Sequence, residues 1–228
     1  MSEPGRLRIA VSSRSPAAGV RADAEARSAL ARGVRDLVRL GHDAVVAHPP
    51  YPVSLGHRGL ATWFAAAYRD AEAAGIDMSA LQPRTRIHIA LGERAWKRGL
   101  VRAGDRSFWR DRAAGWFAER RFDILVTPVL AGPPPRAVTW SARPWRANMM
   151  VNVAYAPYAA PWNIAGFPAV VVPVGVRGDG LPAAIQLVGP PGSELTLLAV
   201  AGQLERVAPW RRHAPGWPRA RAAVLRTR

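Results

Sequence analysis

Few residues of this chain can do chemistry, and their spacing suits few reactions. His42, His48, His57, His88 and His213 form no H-x-x-x-H pair, so a helix face bearing two imidazole ligands is not available. Cysteine is absent, which removes disulfides, thiolate ligands and thiol nucleophiles. No G-x-S-x-G elbow presents a serine at a strand-to-helix turn. Ser12 and Ser13 stand together, but Val11 and Arg14 flank them, and no glycine beside them lets backbone N–H groups approach an oxyanion. Lys97, the only lysine, lies in Glu93-Arg94-Ala95-Trp96-Lys97-Arg98, a charged helical face on which an ammonium stays solvated. Gly189-Pro190-Pro191-Gly192 has the strand-then-helix setting of a phosphate loop, yet it lacks the Lys-Ser/Thr ending and its prolines offer no N–H. Asp70, Glu72 and Asp179 have no apolar surroundings and read as surface charge. The expectation is no catalytic, cofactor-binding or metal-ligating residue in this chain, and no cofactor.

The elements that would position these groups follow an α/β order. Leu7, Ile9 and Val11 alternate with Arg8 and Ala10, the pattern of a half-buried strand. Asp23 can cap the next helix, whose apolar stripe is Leu30, Val34 and Leu37. Gly41 ends it and Ala44–Ala47 form a strand, which completes a strand-helix-strand unit. His48-Pro49-Pro50-Tyr51-Pro52 is a rigid loop. Helices are predicted over Leu55–Gly75, with Leu60, Phe64 and Ala67 on one side, and over Leu81–Arg102 and Ser107–Arg121. Trp96, Trp109, Trp116 and Phe117 are expected to pack on these helices.

Phe122–Pro128 reads as a strand stopped by proline, and Leu130–Asn148 as a loop rich in Pro and Trp. Trp140 and Trp145 there could line a pocket, but tucking onto the core is the favoured reading. Asn163-Ile164-Ala165-Gly166 is a polar turn. It feeds Ala169–Val174, whose β-branched run between Pro168 and Pro173 suits a strand buried on both faces. Gly178-Asp179-Gly180 turns the chain into a strand over Ala183–Val188. Ser193 is the expected N-cap of a final helix with Leu197, Ala201 and Leu204 on one face.

With 228 residues and 49% apolar content the chain can bury a sizeable core. It has no run of about 18 apolar residues, and the opening lacks a signal pattern, so a cytoplasmic location without a membrane partner is expected. The net charge of +16 is nearly all arginine scattered through every predicted element, which speaks against a nucleic-acid face. The tail, 206–228, alternates Arg with Trp210 and Trp217 and has no acid. Such a tail can bind single strands, but a solvated terminus with its tryptophans docked on the body is preferred.

Three stretches carry a family pattern. The first runs through Pro161, Trp162, Asn163, Gly166, Pro168, Ala169, Pro173 and Gly175, then Gly180, Leu181, Pro182, Gln186, Gly189, Glu194, Leu197, Leu198 and Glu205. The second is Phe122-Asp123-Ile124-Leu125-Val126-Thr127-Pro128, and the third pairs Leu7–Val11 with Leu40–Val46. Together they resemble the C-terminal half of the amidase signature family. One frequent feature, a Gln before Pro168, is replaced by Phe167.

The resemblance implies an α/β fold with a mixed β-sheet flanked by helices, the amidase signature fold, incomplete here. Residues 1–205 would be its C-terminal part, with a helical insertion at about 53–121 beside the substrate entrance. The family hydrolyses a carboxamide to carboxylate and ammonia without metal or cofactor. It uses a nucleophilic serine, a serine in a cis peptide bond, and a buried lysine kept neutral by desolvation. The Gly/Ser-rich stretch bearing those serines has no counterpart in this sequence, and none of the catalytic positions carries over. The chain is therefore expected to be a truncated or split amidase, inactive alone, with a separate N-terminal amidase half as a candidate partner and a small amide as ligand; a non-catalytic ligand-binding remnant of the fold is the alternative, and a basic nucleic-acid binder ranks last. The outer strands and the strand near Val171 would pair with that half.

Overall fold

The computed structural model describes residues 4–102 and 104–210. Five strands form one mixed sheet: β1 (Arg8–Val11), β2 (Asp43–Val46), β3 (Ile124–Pro128), β4 (Ala169–Val176) and β5 (Pro182–Val188), in the order β2-β1-β3-β5-β4. β1 is parallel to both β2 and β3, whereas β5 runs antiparallel to β3 and to β4. The helices are α1 (Ala24–Arg39), α2 (Leu55–Ala73), α3 (Pro83–Lys97), α4 (Asp105–Arg120), α5 (Trp145–Tyr155), α6 (Ala160–Ala165) and α7 (Glu194–Val207).

The sheet is covered from both sides. Ile124 and Val126 of β3 point into a core shared with Leu30 and Leu37 of α1 and Leu197, Val200 and Leu204 of α7. Leu125, between them, points the other way, toward Trp109 and Phe117 of α4 and Trp162 of α6. β1 follows the same rule and is not half-buried: Ile9 and Ala10 are both at 0% exposure, because parallel neighbours and helices close both faces. β4 departs the opposite way. It is an edge strand with Val171 51% exposed, since only its Val172 and Val174 face meets α1 and α7. A register shift between Pro173 and Gly175 bends it where proline cannot donate and Gly175 holds φ at 124°.

Local signals placed most helix ends. Asp23 Oδ1 accepts from Ala26 N at 2.6 Å and caps α1, and Gly41 in the left-handed region ends it, with His42 N bonding Leu37 O at 3.1 Å. α3 is shorter than predicted because Pro83 sits at its start and left-handed Gly99 stops it. The Asn163–Gly166 turn is the end of α6, terminated by left-handed Gly166. The predicted loop 130–148 already contains the first turn of α5, which begins after Pro144. Ser193 holds the N-cap position of α7, but its hydroxyl donates back to Pro190 O at 2.6 Å instead of capping.

On α2 the buried positions are Leu55, Gly59, Ala65 and Ala71; the stripe of Leu60, Phe64 and Ala67 is only partly buried. Trp109, Trp116 and Phe117 are core residues, whereas Trp96 is 42% exposed beneath the Arg69 guanidinium, 4.7 Å from its ring centroid. Arg206 and Val207 of the predicted tail still belong to α7, Trp210 packs against the α1–α7 core, and the tail from residue 211 on lies outside the described residues.

Asp23 also ties α1 to the β4–β5 hairpin, because Arg177 Nη2 donates to Asp23 Oδ2 at 2.8 Å. Burial works to raise the Asp23 pKa, but the Arg177 bond, the Ala26 N–H and the charges of Arg177 and Arg27 outweigh it and hold the carboxyl below its usual 3.8. A lowered acid contributes stability above its unfolded value and loses it as pH falls through the native one. Asp23→Ala is expected to lower unfolding free energy by about 1–2 kcal/mol at neutral pH. In urea titrations at stepped pH the deficit should shrink below pH 3.8.

Candidate functional site

Two places gather groups with chemical potential. The first is the carboxyl end of the parallel strands, where open α/β sheets build their sites. Ser12 follows β1 and His48 follows β2, so the parallel pairing brings them together although they are 36 residues apart: Ser12 Oγ lies 3.0 Å from His48 Nδ1. Ser12 N bonds Val126 O, and its hydroxyl accepts from Arg14 N at 3.2 Å. The hydroxyl is therefore held in a local turn, and Ser12 is 1% exposed. Among the described residues His48 makes no second side-chain hydrogen bond. A nucleophile needs its oxygen at the substrate and its base oriented by a third group. This pair has neither.

Beside it, Gln186 on β5 donates to Thr127 Oγ1 and Tyr158 O, both at 3.2 Å, and Tyr158 OH donates to Ser13 O at 3.0 Å. These bonds lock the strand ends to the segment before α6. Gln186 and Thr127 are family-pattern residues, and in this chain they serve to hold the frame.

The second place is a cavity of about 450 Å³ between α2, α3, α5 and the segment before α5. Trp63, His88, Trp140, Trp145 and Tyr155 supply its rings. Gly92 makes it possible. A Cβ there would collide with the Phe64 carbonyl, so only glycine lets α3 lie this close to α2. His88, one turn earlier, is then set edge-on against Trp63 (4.5 Å, 81°) and Phe64 (4.7 Å, 86°). Asn148 Nδ2 donates to Trp140 O at 2.8 Å and fixes that wall. Of the two readings of Trp140 and Trp145, the pocket is the one the structure supports. The residues come from three elements far apart in the chain, so no spacing could have revealed them.

The other sequence candidates stay apart. Lys97 is at the end of α3 with its side chain 65% exposed, and its Nζ contacts Glu93 Oε1 at 2.6 Å. That bond raises the ammonium pKa, the reverse of what a proton acceptor requires. Among the described residues no three His, Asp or Glu side chains converge as a metal site would need, and His213 lies outside them.

Comparison with known proteins gives the fold a family. The amidase family model matches residues 1–198, and the chain belongs to that family. AmiB2 of Mycobacterium tuberculosis, which carries the provisional name of an amidase, is 37% identical over 221 residues, covering 93% of this chain and 46% of AmiB2. The 6-aminohexanoate-cyclic-dimer hydrolase of Paenarthrobacter ureafaciens is 25% identical, covering 91% and 45%. A solved structure of 6-aminohexanoate cyclic dimer hydrolase shares the fold with a TM-score of 0.77 at 24% identity, covering 94% of this chain and 48% of the other. A bacterial aryl acylamidase of the amidase signature family gives 0.65 at 22%, covering 90% and 44%. The chain thus spans less than half the length of each of these relatives.

Burial pushes the His88 imidazole below its ordinary 6.5. The native state then takes up a proton later than the unfolded chain, so stability is present above pH 6.5 and is lost as pH falls through the lowered native value. Melting temperatures of the wild type should drop below pH 6.5 relative to those of His88→Phe, and a difference that ignores pH would contradict the buried placement.

Proposed function

We propose that this chain is the C-terminal portion of an amidase, carrying scaffold and ligand-binding wall, with residues 1–205 belonging to that domain and 206–228 forming a basic tail. The reaction is the addition of water to a carboxamide, breaking the C–N bond to leave a carboxylate and ammonia, through a serine acyl-enzyme. The serine that attacks and the lysine that accepts its proton would come from the remaining, N-terminal half of the amidase domain. The reading assigns the protein to the cytoplasm, with a small amide as ligand and neither membrane nor nucleic acid as partner.

The observation that carries this reading is a mismatch. The chain matches the family over residues 1–198 but covers 46% of AmiB2. Its own candidate nucleophile is sealed at 1% exposure, and its only lysine is solvated and ion-paired. Among the described residues β4 pairs with β5 alone, and its other edge, with Val171 of the same strand half-exposed, offers a seam for the complementing half. A second reading, a non-catalytic ligand-binding protein, is favoured by one feature: the aromatic cavity is formed entirely by this chain.

Co-expression with the half of AmiB2 that this chain does not match decides between them. Co-purification and ammonia release from carboxamides are expected, and Val171→Lys should abolish both by placing a charge on the seam. Turnover by this chain alone, constant through repeated purification, would overturn the proposal. Stable folding without any association would leave the binding protein.

A further inference from the structure

We propose that the cavity between α2, α3 and α5 is a binding site for a planar apolar ring, and that its ligand is an aryl carboxamide. Its volume, about 450 Å³, is within the roughly 300–1,000 Å³ of small-molecule sites. Its walls are rings presented in different planes, with His88 tilted 81° to Trp63 and 70° to Trp145. Such walls offer both faces and edges, which a flat ring meets by stacking on one and abutting another. Trp63 is 52% exposed, so the wall is reached from solvent. No carboxylate is among the lining side chains, and the charged one, Arg84, is engaged through its Nε with Gln82 Oε1 at 3.2 Å. An aliphatic ammonium would find no counter-charge there, whereas a neutral aryl carboxamide brings no charge to desolvate and needs only hydrogen-bond partners for its amide. A second cavity among the described residues, about 360 Å³, has no such rings: it is framed by exposed Arg14 and Arg27 and by loop backbone.

The choice of an amide rests on the function proposed above; the preference for a ring rests on the walls alone. The test is saturation-transfer NMR of the purified chain with benzamide and with acetamide, repeated on Trp63→Ala and on Trp96→Ala. Benzamide should bind saturably and acetamide should not. Trp63→Ala should weaken benzamide by about two- to tenfold, the scale of one lost aromatic contact. Trp96→Ala, an exposed tryptophan outside the cavity, should leave binding unchanged, with melting curves showing both variants folded. No saturable benzamide signal, or equal losses in both variants, would overturn the site. Ammonia release by the reconstituted pair with benzamide ignored would retire the ring site and leave the function standing. Benzamide binding without reconstituted activity would do the reverse.

Discussion

The fold depends on one strand that never meets water. All five residues of β3, Ile124–Pro128, are buried. A strand buried on both faces must be flanked by partners on both edges and by helices above and below. β1 and β5 meet the first demand, α1 with α7 and α4 with α6 the second. The mixed pairing has a consequence for chemistry. Because β1, β2 and β3 are parallel, their carboxyl ends collect at one side, and Ser12, His48 and Thr127 arrive there together.

What was legible in the sequence was whatever is written in local periodicity. Alternation in β1, the Leu30–Val34–Leu37 stripe and the Asp23 cap each encode a local preference that the tertiary structure keeps. The errors lie where tertiary context decides. Burial of the second face of β1, that of Ala10, depends on Leu125 and α4, roughly 100 residues away. Exposure of Val171 depends on which strand stands beside β4. α5 was hidden because its Trp- and Pro-rich approach has weak amphipathic pattern, and the aromatic cavity because α2, α3 and α5 each hold only part of it. The Ser12–His48 contact was invisible for the same reason: strand pairing creates it, and no motif spans it.

The frame and the reactive groups separate in this chain. Gln186 donates to both Thr127 and Tyr158 and keeps strand ends in register, and the hydroxyl of Ser12 is engaged by its own turn and by His48. Lys97 is held charged by Glu93. The aromatic cavity is a place where the described residues leave both space and chemical character for a ligand. The chain that carries these groups spans less than half the length of its relatives.

Covalent labelling is the most direct probe of that separation. A fluorophosphonate, which esterifies only serines activated by a neighbouring base, would be incubated with the purified chain and the intact mass recorded. The mass is expected to stay unchanged, because Ser12 is enclosed and the hydroxyls of Ser79 and Tyr68, which meet the carboxylates of Asp77 and Glu72, donate to exposed surface acids and not to an imidazole or amine. A stoichiometric adduct mapped to Ser12, lost in His48→Ala, would show that the chain carries its own nucleophile and would contradict the reading of it as a scaffold.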